Sequence, residues 1–337
     1  MKNKRLLWQL PFLALLVVGT ILIIHQQQNI PYQKNQGLIF GTTYAITYQY
    51  DEDLHQELVD RMNEVDAALS MFNKQSIISQ INNNQLVKPN DMFLEVFNLA
   101  QQVSDDTDGA FDITVAPLVN IWGFGFKQEQ TPNHHAIDSL MAIIVYRKVS
   151  YDGMRIVKRD PRIMLDCSAI AKGFGVDMVA SLLDERGIKN YLVEIGGEII
   201  TKGVSEKRLP WKIGVIKPTE DALLESNEIQ TMLNVTDKAM ATSGNYRNFY
   251  YKGSRRYAHT IDPKTGYPVQ HNILSVTVLA DHCARADAYA TAFMVMGFER
   301  TKEVLRRNPD LMAYIIYDDK GQNKVWYSPS LKDKIEE

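Results

Sequence analysis

Apolar and polar positions alternate along this chain in many short blocks. Thr43-Tyr-Ala-Ile-Thr-Tyr-Gln-Tyr50 has a period of two and predicts a strand between Gly41 and Tyr50. From there Leu54, Leu58, Met62, Val65 and Leu69 recur at helical spacing, and Asp91 to Val103 repeats that signal. A second apolar helix near Val115–Trp122 stops at Gly123-Phe-Gly125, and His134 to Met141 predicts a short one. Ile143–Val149, Arg155–Val157 and Arg162–Leu165 read as strands. The last leads into a helix that runs to Arg186 and ends at Gly187. Short strands follow at Tyr191–Glu194, Glu198–Lys202, Trp211–Ile216, Ile229–Val235, Phe249–Lys252, Tyr257–Ile261 and Ser275–Leu279. Cys283–Met296 is an apolar helix, and Met312–Tyr317 with Lys324–Trp326 closes the chain as a strand pair. Strands and helices do not strictly alternate, and short turns join many strands. The pattern predicts an α+β fold, one domain of largely antiparallel sheet with packed helices.

The N-terminus stands apart. Met1-Lys-Asn-Lys-Arg5 is basic, and an apolar run interrupted by Gln9 extends from Leu6 to Ile24. About 19 residues make a helix about 28 Å long, close to the thickness of a bilayer core. The basic flank predicts a cytoplasmic start, with the rest across the membrane. A cleaved signal peptide is the alternative, although no small-x-small cleavage site stands out. Residues 25–37 read as a polar linker, and 38–337 as the folded domain.

The chain has 337 residues, 23% of them charged, and a formal net charge of -3, which gives no electrostatic footprint for nucleic acid. Cys167 and Cys283 are too few for a disulfide framework and read as small buried apolar residues, with a single bridge as the alternative.

Candidate chemistry concentrates in a few places. Asp166-Cys-Ser-Ala-Ile-Ala-Lys172-Gly-Phe-Gly175 joins a carboxylate, a turn of small residues and a helix with a lysine in its first turn. Free N–H groups at a helix start and a nearby ammonium suit a diphosphate. Asp287 and Thr291 lie four residues apart, on one helical face. Carboxylate and hydroxyl oxygens are what a hard cation such as Mg²⁺ takes. An ordinary capping pair would look the same, except that the apolar neighbours place this face away from solvent. His259 enters the Asp262-Pro-Lys-Thr-Gly266 turn and has the pKa range for proton transfer; a hydrogen-bonded structural histidine is the alternative. Asp112 reads as a helix N-cap, and Gly196-Gly197 as a bulge or a close backbone approach. Walker A, dinucleotide, nucleophile-elbow and zinc spacings are all missing from the sequence.

Taken in order, these segments resemble one family. They are Gly41-Thr-Thr-Tyr, Gly109-Ala-Phe-Asp-Ile-Thr-Val-Ala-Pro-Leu-Val-Asn-Ile-Trp-Gly-Phe, Asp166-Cys-Ser-Ala-Ile-Ala-Lys-Gly, Glu194-Ile-Gly-Gly-Glu, Ala241-Thr-Ser-Gly-Asn-Tyr, His259-Thr-Ile-Asp-Pro-Lys-Thr-Gly and Ala286-Asp-Ala-Tyr-Ala-Thr-Ala. The set is similar to the FAD:protein FMN transferases, also called ApbE-type flavin transferases. The resemblance implies a bacterial inner-membrane enzyme facing the periplasm. It would use Mg²⁺ to join the FMN half of FAD, through a phosphodiester, to a threonine or serine of an acceptor protein, with AMP released. The expected acceptor is a flavin-carrying subunit of a membrane redox complex. By matching positions, the flavin nucleotide would be bound by Phe40, Phe72, Ala110, Phe111, Asp112, Asp166, Lys172 and His259. The cation would be held by Asp287, Thr291 and the main-chain carbonyl of Ala169, and His259 would be the base. Phe40 stands where methionine is frequent and Phe72 where tyrosine is common. Cys167-Ser168 is one of several variants at its turn, and an apolar segment replaces a lipidated cysteine. FAD hydrolysis to FMN and AMP, and flavin binding without turnover, are the competing readings.

Overall fold

Eight strands in chain order form one antiparallel sheet: β1 (Tyr32–Ile39), β2 (Thr42–Gln49), β3 (Tyr191–Ile195), β4 (Glu198–Lys202), β5 (Ala239–Gly244), β6 (Ile273–Ala280), β7 (Met312–Asp319) and β8 (Gln322–Tyr327). The computed structural model describes residues 11–20, 30–125, 132–218, 228–245, 249–252 and 255–336. Helices fill the long excursions between strands: α1 (His55–Leu69), α2 (Ile77–Asn82), α3 (Asp91–Asp106), α4 (Ala116–Ile121), α5 (His134–Met141) and α6 (Ala171–Glu185) lie between β2 and β3. Helices α7 (Cys283–Met296) and α8 (Phe298–Arg307) lie between β6 and β7.

The centre of the sheet, β5 to β7, is buried on both faces, and its alternation shows how. Ala241, Val278 and Ile315 face the helical core, whereas their neighbours Met240, Leu279 and Ile316 face a second cluster. That second cluster lies under a small sheet of Lys212–Ile216, Ile229–Asn234 and Ile335–Glu336. Helix α7 is buried nearly all round, from Cys283 through Val295, which is the signature of a central helix. Its small residues let α6 approach closely: a Cβ on Gly173 would stand 2.4 Å from the Cys283 carbonyl oxygen. The α7 N-terminus is capped from α6, because Asp177 accepts from the Cys283 and Ala284 N–H groups at 2.7 and 2.8 Å.

Several expectations change. Residues 32–37, assigned to a linker, are most of β1 and pair in full register with β2. This is an edge strand, so it lacks the one-sided apolar alternation that marks a buried one. Arg162–Leu165 is not a strand: Arg162 ends a turn, Ile163–Leu165 joins no ladder, and the Asn82 side chain takes the place of a partner strand. It accepts from Leu165 N at 2.7 Å and donates to Leu165 O at 2.9 Å. Ile143–Val149 is mostly a turn and a 3₁₀ segment, and the strand there is Val149–Tyr151. Strand β5 and helices α2 and α8 are additions, and Cys167 and Cys283 are free and buried. Residues 11–20 are helical, and the rest of the apolar run 6–24 lies outside the described residues. Among the described residues no helix is long and apolar enough to cross a membrane.

Candidate active site

Two tight turns sit side by side at one end of the sheet. Phe40-Gly41 joins β1 to β2, and Gly196-Gly197 joins β3 to β4. All four residues have positive φ: 52° and 74° in the first turn, 62° and 95° in the second. That is the two-residue turn whose twist suits antiparallel strands, so Gly196-Gly197 is a hairpin turn and not a bulge. The Gly196 N–H donates to the Thr43 carbonyl at 2.9 Å and locks the two turns together. A bulky side chain at positive φ is strained, and Phe40 is held there with its ring against α6.

The start of α6 lies against these turns. Phe40, Gly41, Ser168, Ala171 and Lys172 form one side of a cavity of about 670 Å³, and Asp66, Leu69, Ser70, Met71, Phe72 and Asn73 form the other. The volume lies in the range of small-molecule sites, about 300–1,000 Å³. Phe72 is 70% exposed at the rim. Of the residues that follow α1, Phe72 was expected at the site from the family resemblance; Ser70, Met71 and Asn73 were not.

Gly175 keeps room for the Phe40 ring. A Cβ at position 175 would lie 2.6 Å from Phe40 Cε2, so an added methyl must push the ring toward the cavity. Gly175→Ala is therefore expected to leave the melting temperature within a few degrees and to weaken FAD binding about tenfold, or about 1.4 kcal/mol. Titration of flavin fluorescence checks it.

Behind the cavity wall Lys172 meets two carboxylates. Its Nζ donates to Glu198 Oε1 at 2.6 Å and lies 3.8 Å from Asp287 Oδ2. Asp287 is 3% exposed and Glu198 also 3%. Burial alone would push the Lys172 ammonium down, but Asp287 and Glu198 more than offset it and hold it above the usual lysine range. Burial pushes the Asp287 carboxyl up, against the pull of Lys172 and the Gly173 N–H. Burial, and then the Asp287 charge, do the same to Glu198.

The oxygens near Asp287 suit a hard cation. The Gly173 N–H donates to Asp287 Oδ2 at 3.1 Å. Gly173 is in the first turn of α6, where an N–H has no partner within the helix, and Ala169 lies in the turn before the Ile170 N-cap, so its carbonyl is outside the helical ladder. One turn along α7 from Asp287, the Thr291 hydroxyl lies 3.1 Å from Ser243 Oγ on β5. Glu198 Oε2 is buried without a hydrogen-bond partner. Among the described residues no cluster of three His, Cys, Asp or Glu side chains exists. One carboxylate, a carbonyl and a hydroxyl make an oxygen-only set that fits Mg²⁺ better than a softer metal.

The other expected site residues, Asp166, Ala110, Phe111, Asp112 and His259, make contacts of their own. Asp166 accepts from Ser168 N at 2.7 Å, shaping the turn into α6, and burial raises its pKa. Its own N–H donates to the Ile113 carbonyl at 2.7 Å, which ties that turn to the Ala110–Asp112 segment. Ala110 and Phe111 are packed inside the core, so only their backbone is available to a ligand. Asp112 is not the N-cap of α4, a position held by Val115. It accepts from Thr114 N and Oγ1 at 2.7 Å each and from Tyr146 N at 2.9 Å, and burial raises its pKa. His259 is half-buried, with its ring edge-on to Phe124 at 6.3 Å between centroids. The next residue, Thr260, donates from Oγ1 to Asn245 Oδ1 at 2.6 Å. This joins the His259 segment to the end of β5, which carries Ser243. Glu198 and Ser243 were not singled out from sequence, although both fall inside segments already named.

The ApbE family model matches residues 40–316. The chain belongs to the ApbE family. The FAD:protein FMN transferase of Vibrio cholerae is 38% identical over 307 residues, 88% of this chain and 90% of that protein. The FAD:protein FMN transferase of Escherichia coli K12 is 34% identical over 311 residues, 88% of this chain and 87% of that protein. The solved structure of the flavin transferase ApbE from Vibrio cholerae has a TM-score of 0.81 at 36% identity and covers 90% of this chain and all of that one. The apo flavinyl transferase ApbE of Pseudomonas stutzeri gives the same TM-score at 30% identity, covering 90% of this chain and 96% of that one. The ApbE fold is thus an α+β domain with a large antiparallel sheet, as the strand pattern predicts.

Proposed function

We propose that this chain transfers the FMN half of FAD to a threonine or serine hydroxyl of an acceptor protein and releases AMP. That it is an enzyme of flavin transfer to protein follows from its family and from relatives that carry that activity in their names. The observation that carries the finer reading is the Lys172–Asp287 contact behind a cavity walled by Phe40 and Phe72. A ring system finds two aromatic side chains there, and a diphosphate finds the Lys172 ammonium.

The chemistry divides among the chain's own residues. Lys172 places a positive charge at the wall where negative charge builds on phosphoryl oxygens. Asp166 sets the turn that opens α6, and the backbone from Ala110 to Asp112 is pinned to it. His259 accepts the proton of the acceptor hydroxyl as that oxygen attacks the phosphorus on the FMN side. The bond to the AMP oxygen breaks, and AMP leaves with the electron pair. Asp287, Thr291 and the Ala169 carbonyl would hold Mg²⁺, which when bound supplies Lewis-acid stabilisation of the phosphoryl oxygens. The apolar run from Leu6 to Ile24 and its basic flank support attachment to a bacterial inner membrane with the domain in the periplasm. A flavin-carrying subunit of a membrane redox complex fits that address.

Chromatography of nucleotides tests the reaction type. With FAD and Mg²⁺, AMP release should depend on added acceptor and be accompanied by little free FMN. Equal AMP and FMN without acceptor would make the chain an FAD hydrolase.

A further inference from the structure

We propose that Glu198 is a positioning residue for Lys172, holding its ammonium at the cavity wall beside Asp287, and that it serves FAD binding and transfer at no benefit to the fold. The inference rests on the flavin-transfer reading of this site. Three observations support it. First, Glu198 is the first residue of β4, directly after the rigid Gly196-Gly197 turn, so its backbone is fixed. A Cβ at Gly196 would lie 3.3 Å from Lys172 Cδ, so the same turn also confines the lysine stem. Second, Glu198 Oε1 takes Lys172 Nζ at 2.6 Å, whereas Asp287 Oδ2 is 3.8 Å away. The tighter hold comes from Glu198, which leaves Asp287 to accept from Gly173 N at 3.1 Å. Third, Glu198 Oε2 is buried with no partner. A pair kept for stability would satisfy both oxygens, since buried ion pairs stabilise poorly and an orphan acceptor is a further penalty. A buried group that breaks this rule is the mark of a functional site.

A double-mutant cycle separates this role from a structural one. Glu198→Gln keeps the shape and removes the charge that holds Lys172; Lys172→Met removes the group acted on. Glu198→Gln should raise both the FAD dissociation constant and the KM for FAD about tenfold or more, with an unchanged or higher melting temperature. Combined with Lys172→Met, it should add no further loss beyond that of Lys172→Met alone. Glu198→Asp, which keeps the charge on a shorter arm, should recover part of the affinity. Equal losses in both backgrounds would overturn the proposal, as would a fall in melting temperature that accounts for the lost activity. FAD fluorescence titration separates the two levels of claim. If wild-type protein does not bind FAD, the flavin reading fails; if it binds and Glu198→Gln binds equally well, only the positioning role fails.

Discussion

Asp287→Ala should lower FMN transfer by about 10²–10³-fold, the loss usual when one preorganised charge-stabilising group is removed. Asp287 is the carboxylate that meets Lys172 and the Gly173 N–H, one helical turn before Thr291. The substitution also strips the Gly173 N–H of its acceptor, a penalty of about 1–3 kcal/mol if it stays buried and unpaired. Asp287→Asn removes this ambiguity, because an amide oxygen still accepts from Gly173 but carries no charge. Both variants should lose Mn²⁺ binding measured by electron paramagnetic resonance, and only the alanine variant should melt at a clearly lower temperature. Near-normal turnover at low Mg²⁺ in a folded Asp287→Asn protein would remove Asp287 from the cation site.

His259→Asn has the next largest expected effect. A threonine hydroxyl is a poor nucleophile at neutral pH, and a positioned base contributes about 10²–10⁴-fold. The variant should bind FAD with near-native affinity and transfer FMN slowly. His259 lies on a segment tied to the strand that carries Ser243, so a purely structural role predicts something else. In that case the melting temperature falls and activity per folded molecule stays. FAD affinity, melting temperature and transfer rate on one preparation tell these apart.

The sequence was most informative where a local rule governs a residue. Helix α7 matches its sequence bounds of Cys283–Met296 because its apolar run is long, begins after Asp281-His282 and stops at Gly297. The Asp262–Gly266 turn closes as its Pro and Gly imply, with the Gly266 N–H on the Asp262 carbonyl at 2.8 Å. Gly187 follows the end of α6 with φ of 74°. The misses are nonlocal. Strand β1 owes its conformation to β2 and not to its own polar sequence. Arg162–Leu165 looks like a strand because Ile163 and Leu165 are buried, yet its partner is the Asn82 side chain, and no periodicity reports that. Within the site, Asp287, Thr291 and Lys172 were legible from helical spacing and from charge set among apolar neighbours. Glu198 was not, because an acidic residue at the start of a short predicted strand gives no sign of the lysine that a separate helix brings against it.

The central claim, transfer of FMN to a protein hydroxyl, is tested most directly by intact-mass and peptide mass spectrometry of an acceptor. The acceptor would be a flavin-carrying subunit of a membrane redox complex, incubated with this chain, FAD and Mg²⁺. The account predicts a gain of one FMN less one water on a single threonine or serine, one AMP released per acceptor modified, and no gain when that residue is replaced by alanine. An acceptor of unchanged mass while FAD is split to free FMN and AMP would contradict it.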